Sequence, residues 1–179
     1  MSIISKGKGG IQRGQTATDQ AAAKIDKDLK DTRDELALEL SDFGVTMKRR
    51  LDKTDTITPC EPDGGAWFYG DVLIAVFEAK KQQDRGNAIE RWYKNNYRCR
   101  TLNESLSYGT WARGEGAYPK GSIGQALDVA HGGEWNVYRP GKNSGWLSKD
   151  GFTRQEIKDK MKEIILERVS YENNKGERL

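Results

Sequence analysis

Histidine is nearly absent from this sequence: His131 is the only one in 179 residues, and cysteine is restricted to Cys60 and Cys99. The two cysteines form no CxxC pair and have no histidines grouped beside them. That excludes the common zinc cages and any mechanism that needs two histidines. Two free, buried thiols in a reducing compartment are the expectation for this pair. Long apolar runs are missing as well. No stretch reaches the length of a membrane span, about 20 apolar residues, and the opening MSIISKGKGGIQRG has no apolar signal core. A soluble cytoplasmic protein is expected. Net charge is also scarce, since 30 basic and 27 acidic side chains leave only +3. Such a balance does not mark a polyanion partner by itself. A nucleic-acid site would have to concentrate lysine and arginine locally, because affinity for the backbone comes from cations at phosphates.

What is present suits one α/β domain spanning 1–179. Hydrophobic residues make up 35% and charged residues 32%, enough for a modest core under a well-solvated surface. Residues 1–15, rich in glycine and lysine, read as a loose arm. Ile25, Leu29, Thr32, Leu36, Leu40, Phe43, Met47 and Leu51 then recur at spacings of three and four, the buried stripe of a helix or of two helices broken at Gly44. Asp26, Lys27, Lys30, Asp31, Arg33, Asp34 and Glu35 form the opposite, solvated face. Glu39 flanks the stripe and reads as a surface glutamate rather than a third carboxylate of a site.

After Thr54 the pattern changes. TDTITPCEPDGG disfavours helix, and WFYGDVLIAVFEAK reads as two strands around a Gly70-Asp71 hairpin turn. Val72 to Phe77 is the continuous apolar run of a strand covered on both faces. NAIERWYKNNYR reads as a helix with Asn87 and Glu90 at capping-box spacing. YGTWARGEGAY and EWNVYRP read as further strands. TRQEIKDKMKEIILERV closes the chain as a helix with a second capping box at Thr153 and Glu156 and a buried face of Ile157, Met161, Ile164 and Ile165. The order of elements predicts a mixed central β-sheet flanked by helices.

The chemistry gathers where the apolar strand emerges. Glu78 and Lys80 are two apart, so both project from one face of a strand, with Val76 and Ile74 deeper on that face. Asp63 precedes Gly64 and Gly65, which let the backbone turn and bring its carboxylate alongside. Two converging carboxylates repel unless a cation sits between them, and magnesium, a small hard ion that takes carboxylate, water and phosphate oxygens, suits that cage. Lys80 would then hold or deprotonate an attacking water, or stabilise the pentavalent phosphorus.

Taken together, Pro62-Asp63, fourteen intervening residues, Glu78-Ala79-Lys80 and then Gly86-Asn87-Ala88-Ile89-Glu90-Arg91 resemble the PD-(D/E)XK nucleases. More narrowly they resemble the EcoRI- and MunI-like type II restriction endonucleases, which carry the GNAIER segment, or a near copy led by an arginine (here Arg85), at the matching place. The resemblance covers Pro62–Arg91. It implies Asp63, Glu78 and Lys80 as catalytic residues, and Mg2+ held by Asp63, Glu78 and the Ala79 backbone carbonyl. It also implies a base-reading segment of Arg85, Gly86, Asn87, Ala88, Glu90 and Arg91.

Asn suits adenine and Arg suits guanine in the major groove, and small Ala88 leaves room for a base. The family's partner is double-stranded DNA cut by a homodimer. The expected site is a palindrome with an AATT core, CAATTG when Arg85 reads the outer guanine, and a cognate DNA methyltransferase belongs to the same system. Lys94, Arg98 and Arg100 stand open between phosphate contacts and a solvated helix face. Trp92 and Tyr93 read as packing. The rival readings are a less sequence-specific nuclease of this superfamily and a DNA-binding protein without catalysis.

Overall fold

The apolar run from Val72 is the axis of the fold. It lies in strand β3 (Val72–Lys81), ten residues long, whose side chains from Leu73 to Glu78 are buried without a break. Strand β2 (Ala66–Tyr69) precedes it, and Gly70, with φ of 60°, makes the tight turn between them. The structure is a computed structural model that describes residues 17–52, 59–113, 117–126, 146–147 and 153–177. Helix α1 (Ala17–Glu39) leads through a 3₁₀ turn (Ser41–Phe43) into strand β1 (Val45–Lys48). After β3 come helix α2 (Asn87–Leu102), strand β4 (Ser107–Arg113), strand β5 (Trp146–Leu147) and helix α3 (Arg154–Glu177). The sheet runs in the order β1-β2-β3-β4-β5, antiparallel through β3 and parallel from β3 to β5.

Each face of the sheet has its own core. On one face Ile25, Leu29 and Leu36 of α1, Leu40 just after it, and Ile157, Met161, Ile164 and Ile165 of α3 pack on Trp67, Ala75, Phe77 and Trp111. On the other, Trp92 and Cys99 of α2 pack with Leu51, Leu106 and Ile123 on Leu73, Val76, Tyr108 and Ala112. The architecture is therefore α/β, a mixed sheet between helices, as expected. Among the described residues no helix is long and apolar enough to cross a membrane. The residues 1–15, the EWNVYRP segment and His131 lie outside the described residues.

The capping box that opens α3 forms as expected: Thr153 N–H donates to Glu156 Oε1 at 2.9 Å, and Glu156 N–H donates to Thr153 Oγ1 at 3.1 Å. Three expectations are corrected. The stripe of α1 stops at Leu40. Gly44, in the left-handed region at φ 76°, ends the turn, and Val45–Lys48 pairs with β2 as a strand. Phe43 is 52% exposed and belongs to no core. Met47 and Leu51 kept a helical spacing by coincidence, because four residues of strand are too few to show their own period.

The second correction concerns Ile74. The register between β2 and β3 shifts at Trp67/Phe68, so Ala75 faces Trp67 and Leu73 faces Phe68, leaving Ile74 as the extra residue of a bulge. Ile74 therefore packs with the α1/α3 core, whereas Val76 faces α2. The third is the start of α2. Asn87 is the first helical residue, Gly86 occupies the cap position, and no side chain caps the helix. Gly86 holds φ 65° and ψ −124°, and its carbonyl accepts Glu90 N–H at 3.1 Å. A glycine takes that conformation without the strain a Cβ would bring, so the chain turns into the helix through backbone geometry alone.

Candidate active site and nucleic-acid interface

Asp63 sits in a turn that two glycines make possible. Gly64 N–H donates to Phe77 O at 2.8 Å and Phe77 N–H to Gly65 O at 3.2 Å, which sews the turn onto β3. A Cβ on Gly64 would lie 2.6 Å from Phe77 Cβ, so only glycine permits this approach. The result places Asp63 Oδ2 where it accepts Ala79 N–H at 3.0 Å. The aspartate thus lies beside the strand residue between Glu78 and Lys80, as its place before the glycine turn predicts.

Helix α1 supplies two residues that the sequence pattern assigned to a solvated face. Arg33 is only 8% exposed, and its Nη1–H donates to the backbone carbonyl of Asp63 at 3.1 Å while Nε–H donates to Asp34 Oδ1 at 3.1 Å. Asp26 is hydrogen-bonded to the Asp63 carboxyl. Burial is the main cause that pushes the Asp63 carboxyl up to about 7; the bond to Asp26 and the nearby charges of Asp26 and Glu78 push the same way, and the Ala79 N–H works against them. The Asp63 carboxyl therefore keeps its proton up to near neutral pH. No spacing rule pointed to Asp26. The only signal was an acid one position beyond the apolar stripe, which resembles an ordinary surface residue.

Glu78, 7% exposed, leaves β3 on the α2 side, where Tyr108 Oη donates to its Oε2 at 2.5 Å. Burial, and then the Glu78 charge, hold the Tyr108 phenol well above the ordinary tyrosine value, so it remains a donor. Lys80, two residues on along the same strand, is half-buried. Lys81, facing the other way, is tied to Asp19 at 2.9 Å. Glu39 lies elsewhere: it pairs with Lys158 at 2.5 Å between α1 and α3. Beside Asp63 opens a cavity of about 300 Å³ lined by Lys30, Arg33, Arg49, Glu61, Pro62 and Asp63. Its cations are already matched, Lys30 to Asp26 at 2.9 Å and Arg49 to Asp34 at 2.9 Å, so it is not a bare basic patch.

The thiols are free and lie together, Cys99 buried and Cys60 half-buried rather than fully covered as expected. The hydrogen bond between them draws the Cys60 thiol down and pushes Cys99 up. Among the described residues, no group of three or more His, Cys, Asp or Glu is placed to hold a metal ion. Asp63 and Glu78 are oxygen donors of the hard type that magnesium takes in ones and twos, completing its shell with water and phosphate. A cation beside Asp63 would take over the role of the proton that its carboxyl retains. In donor chemistry these residues fit that ion.

Four residues separate Lys80 from Arg85, and they are pinned. Gln82 N–H donates to Arg113 O at 3.2 Å, Gly124 N–H to Gln82 O at 2.8 Å, and Ile123 N–H to Asp84 O at 2.7 Å. Beyond them Arg85, Gly86, Asn87, Glu90 and Arg91 are exposed, and Ala88 and Ile89 are half-buried. No side chain of Arg85, Asn87, Glu90 or Arg91 bonds another of the described residues. Ile89 and Trp92 hold the helix start down, and Trp92 Nε1–H donates to Thr110 Oγ1 at 2.7 Å, directly across the sheet from Glu78. Trp92 packs as expected, while Tyr93 leans on its ring at 5.1 Å and stays 47% exposed. Arg100 is half-buried and donates to Glu104 O and Leu106 O, so it closes the end of α2; Lys94 is exposed. No family model, curated protein or solved structure matches the chain.

Proposed function

We propose that this protein is a magnesium-dependent type II restriction endonuclease of the PD-(D/E)XK superfamily, acting as a homodimer on double-stranded DNA at a palindrome with an AATT core, with CAATTG as the full site. One observation carries the reading. The end of β3 brings Asp63, Glu78 and Lys80 to one strand terminus, and a short pinned link joins it to an exposed edge of Arg85, Asn87, Glu90 and Arg91. Asp63, Glu78 and the Ala79 carbonyl are the residues that would hold Mg2+, which, when bound, neutralises phosphate charge and acidifies water.

The chain's own contributions follow from placement. Arg33 and Asp26 fix the Asp63 turn from α1. Lys80, two residues beyond Glu78 on the same strand face, would hold the attacking water or take its proton, or offset charge at phosphorus. The side chains of Asn87, Glu90 and Arg91, spent on no contact among the described residues, remain available for base edges. A palindrome read by one such segment per protomer requires two-fold symmetry, hence the dimer.

The test is digestion of plasmid DNA of known sequence with Mg2+ and sequencing of the product ends. Breaks confined to a single palindrome containing AATT support the proposal. Nicks scattered over the sequence would assign the chain to the less specific nucleases, and DNA shifted on a gel but never cut would make it a binding protein.

Arg85→Ala tests the reading edge. Discrimination at the outer base pair is expected to fall by about 1–3 kcal/mol, with the AATT positions much less affected, measured across a panel of single-substituted sites. A uniform loss at every position would reassign Arg85 to a phosphate.

A further inference from the structure

Tyr108 is 1% exposed and buried among Leu73, Val76, Trp92 and Leu106, yet it carries a hydroxyl into that apolar cluster. The sheet explains where the hydroxyl goes. β3 and β4 are parallel, with Val76 opposite Tyr108 and Glu78 opposite Thr110. Tyr108 and Glu78 are therefore diagonal neighbours on one face, a separation that a tyrosine's length spans. Its Oη donates to Glu78 Oε2 at 2.5 Å. Among the described residues this is the one hydrogen bond to the Glu78 side chain, and Thr110, directly opposite, is taken up by Trp92 at 2.7 Å.

From this geometry we propose that Tyr108 is a positioning residue, holding one oxygen of Glu78 so that the other is presented to a divalent cation. The inference rests on the nuclease reading above and extends it to a residue outside the PD-(D/E)XK pattern. A glutamate at a strand end has three rotatable bonds. Without the phenol it would sample several rotamers, and a metal would have to select one. An outer partner that fixes a ligating carboxylate carries a large share of a site's affinity.

Tyr108→Phe keeps the ring packing and deletes only the donor. Calorimetric titration of the DNA-free protein with Mn2+ is expected to show affinity weakened about 10- to 100-fold. kcat should fall in parallel, with KM for DNA unchanged. A residue that merely filled the core would lower the melting temperature and leave metal affinity alone, and metal affinity within about twofold of the unsubstituted protein overturns the inference. A double-mutant cycle with Glu78→Gln adds a second readout. If Tyr108 acts through Glu78, the two losses in Mn2+ affinity are strongly non-additive, and additive losses overturn the inference even if the single variant is destabilised. An unsubstituted protein that cuts and binds Mn2+ beside an unaltered Tyr108→Phe refutes this inference alone. One that neither binds Mn2+ nor cuts refutes the nuclease reading and this inference with it.

Discussion

Asp63→Asn is expected to abolish cleavage, leave sequence-specific DNA binding in place, and melt at a higher temperature than the unsubstituted protein at pH 8 without metal. The stability half follows from the contacts. Asp63 accepts Ala79 N–H on Oδ2 and is hydrogen-bonded to Asp26. An asparagine keeps an oxygen for Ala79 and places an amide donor toward Asp26, so it does permanently what the aspartate does only while protonated. The neighbouring carboxylates of Asp26 and Glu78 then no longer face a third negative charge. For a chain of this length each kcal/mol recovered raises the midpoint by roughly 2–4 °C.

The pH dependence fixes the sign. Burial holds the Asp63 carboxyl at about 7, above its ordinary 3.8. From about pH 4 to pH 7 the folded protein keeps a proton that the unfolded chain has lost. The associated stability is complete below the unfolded value and is lost as pH climbs through 7. Metal-free protein should accordingly melt higher at pH 5 than at pH 8, and the difference between it and Asp63→Asn should close as pH falls. Scanning calorimetry of both proteins across that range reads the effect directly. Equal pH profiles would show that the Asp63 carboxyl is not raised in the folded protein. Loss of DNA binding equal to the loss of cleavage would remove it from the chemistry, because a carboxylate that only holds a cation for bond breaking contributes little to base reading.

How much of this was legible beforehand depended on whether the cause was local. The hairpin at Gly70-Asp71, the buried run after Val72 and the capping box of α3 follow from turn chemistry, hydrophobicity and spacing within a few residues, and the fold reproduces them. β1 was not legible, because Met47 and Leu51 happen to continue the spacing of α1 and the strand exists only through its pairing with β2. The cap at Asn87 failed for a related reason. Residue types matched a capping box, but Gly86 turns the backbone one residue earlier and leaves the asparagine inside the helix.

The site divides the same way. The placement of Asp63 beside Ala79, with Glu78 and Lys80 at the strand end, was legible from an acid before two glycines and charges at the end of an apolar strand. The contacts of Asp26, Arg33 and Tyr108 were not, since each reaches Asp63 or Glu78 across a long stretch of sequence and is of a type common on surfaces or in cores. The two that α1 contributes sit near its buried stripe, so the helix that covers the sheet also braces the Asp63 turn.

Gly124→Ala is expected to cost about 100-fold in site-specific cleavage while leaving Mn2+ affinity nearly unchanged, the reverse of the Tyr108→Phe pattern. Gly124 stands against the link between Lys80 and Arg85: its N–H donates to Gln82 O at 2.8 Å, and a Cβ there would fall 2.7 Å from that same oxygen and 2.8 Å from the Tyr118 ring. The obstacle on one side is backbone, which has no rotamer with which to give way. The link would have to move, and with it Arg85 and the start of α2. Asp63, Glu78 and Tyr108 are held by β2, β3, β4 and α1, so the strand end can keep its geometry while the proposed reading edge shifts. A shift of an ångström suffices to misalign a bidentate contact to a base. Kinetics on the preferred site, Mn2+ titration and a melting curve separate the possibilities. Unchanged cleavage would show that residues 82–84 do not transmit position, and equal loss of metal binding would show that strand end and reading edge move as one body.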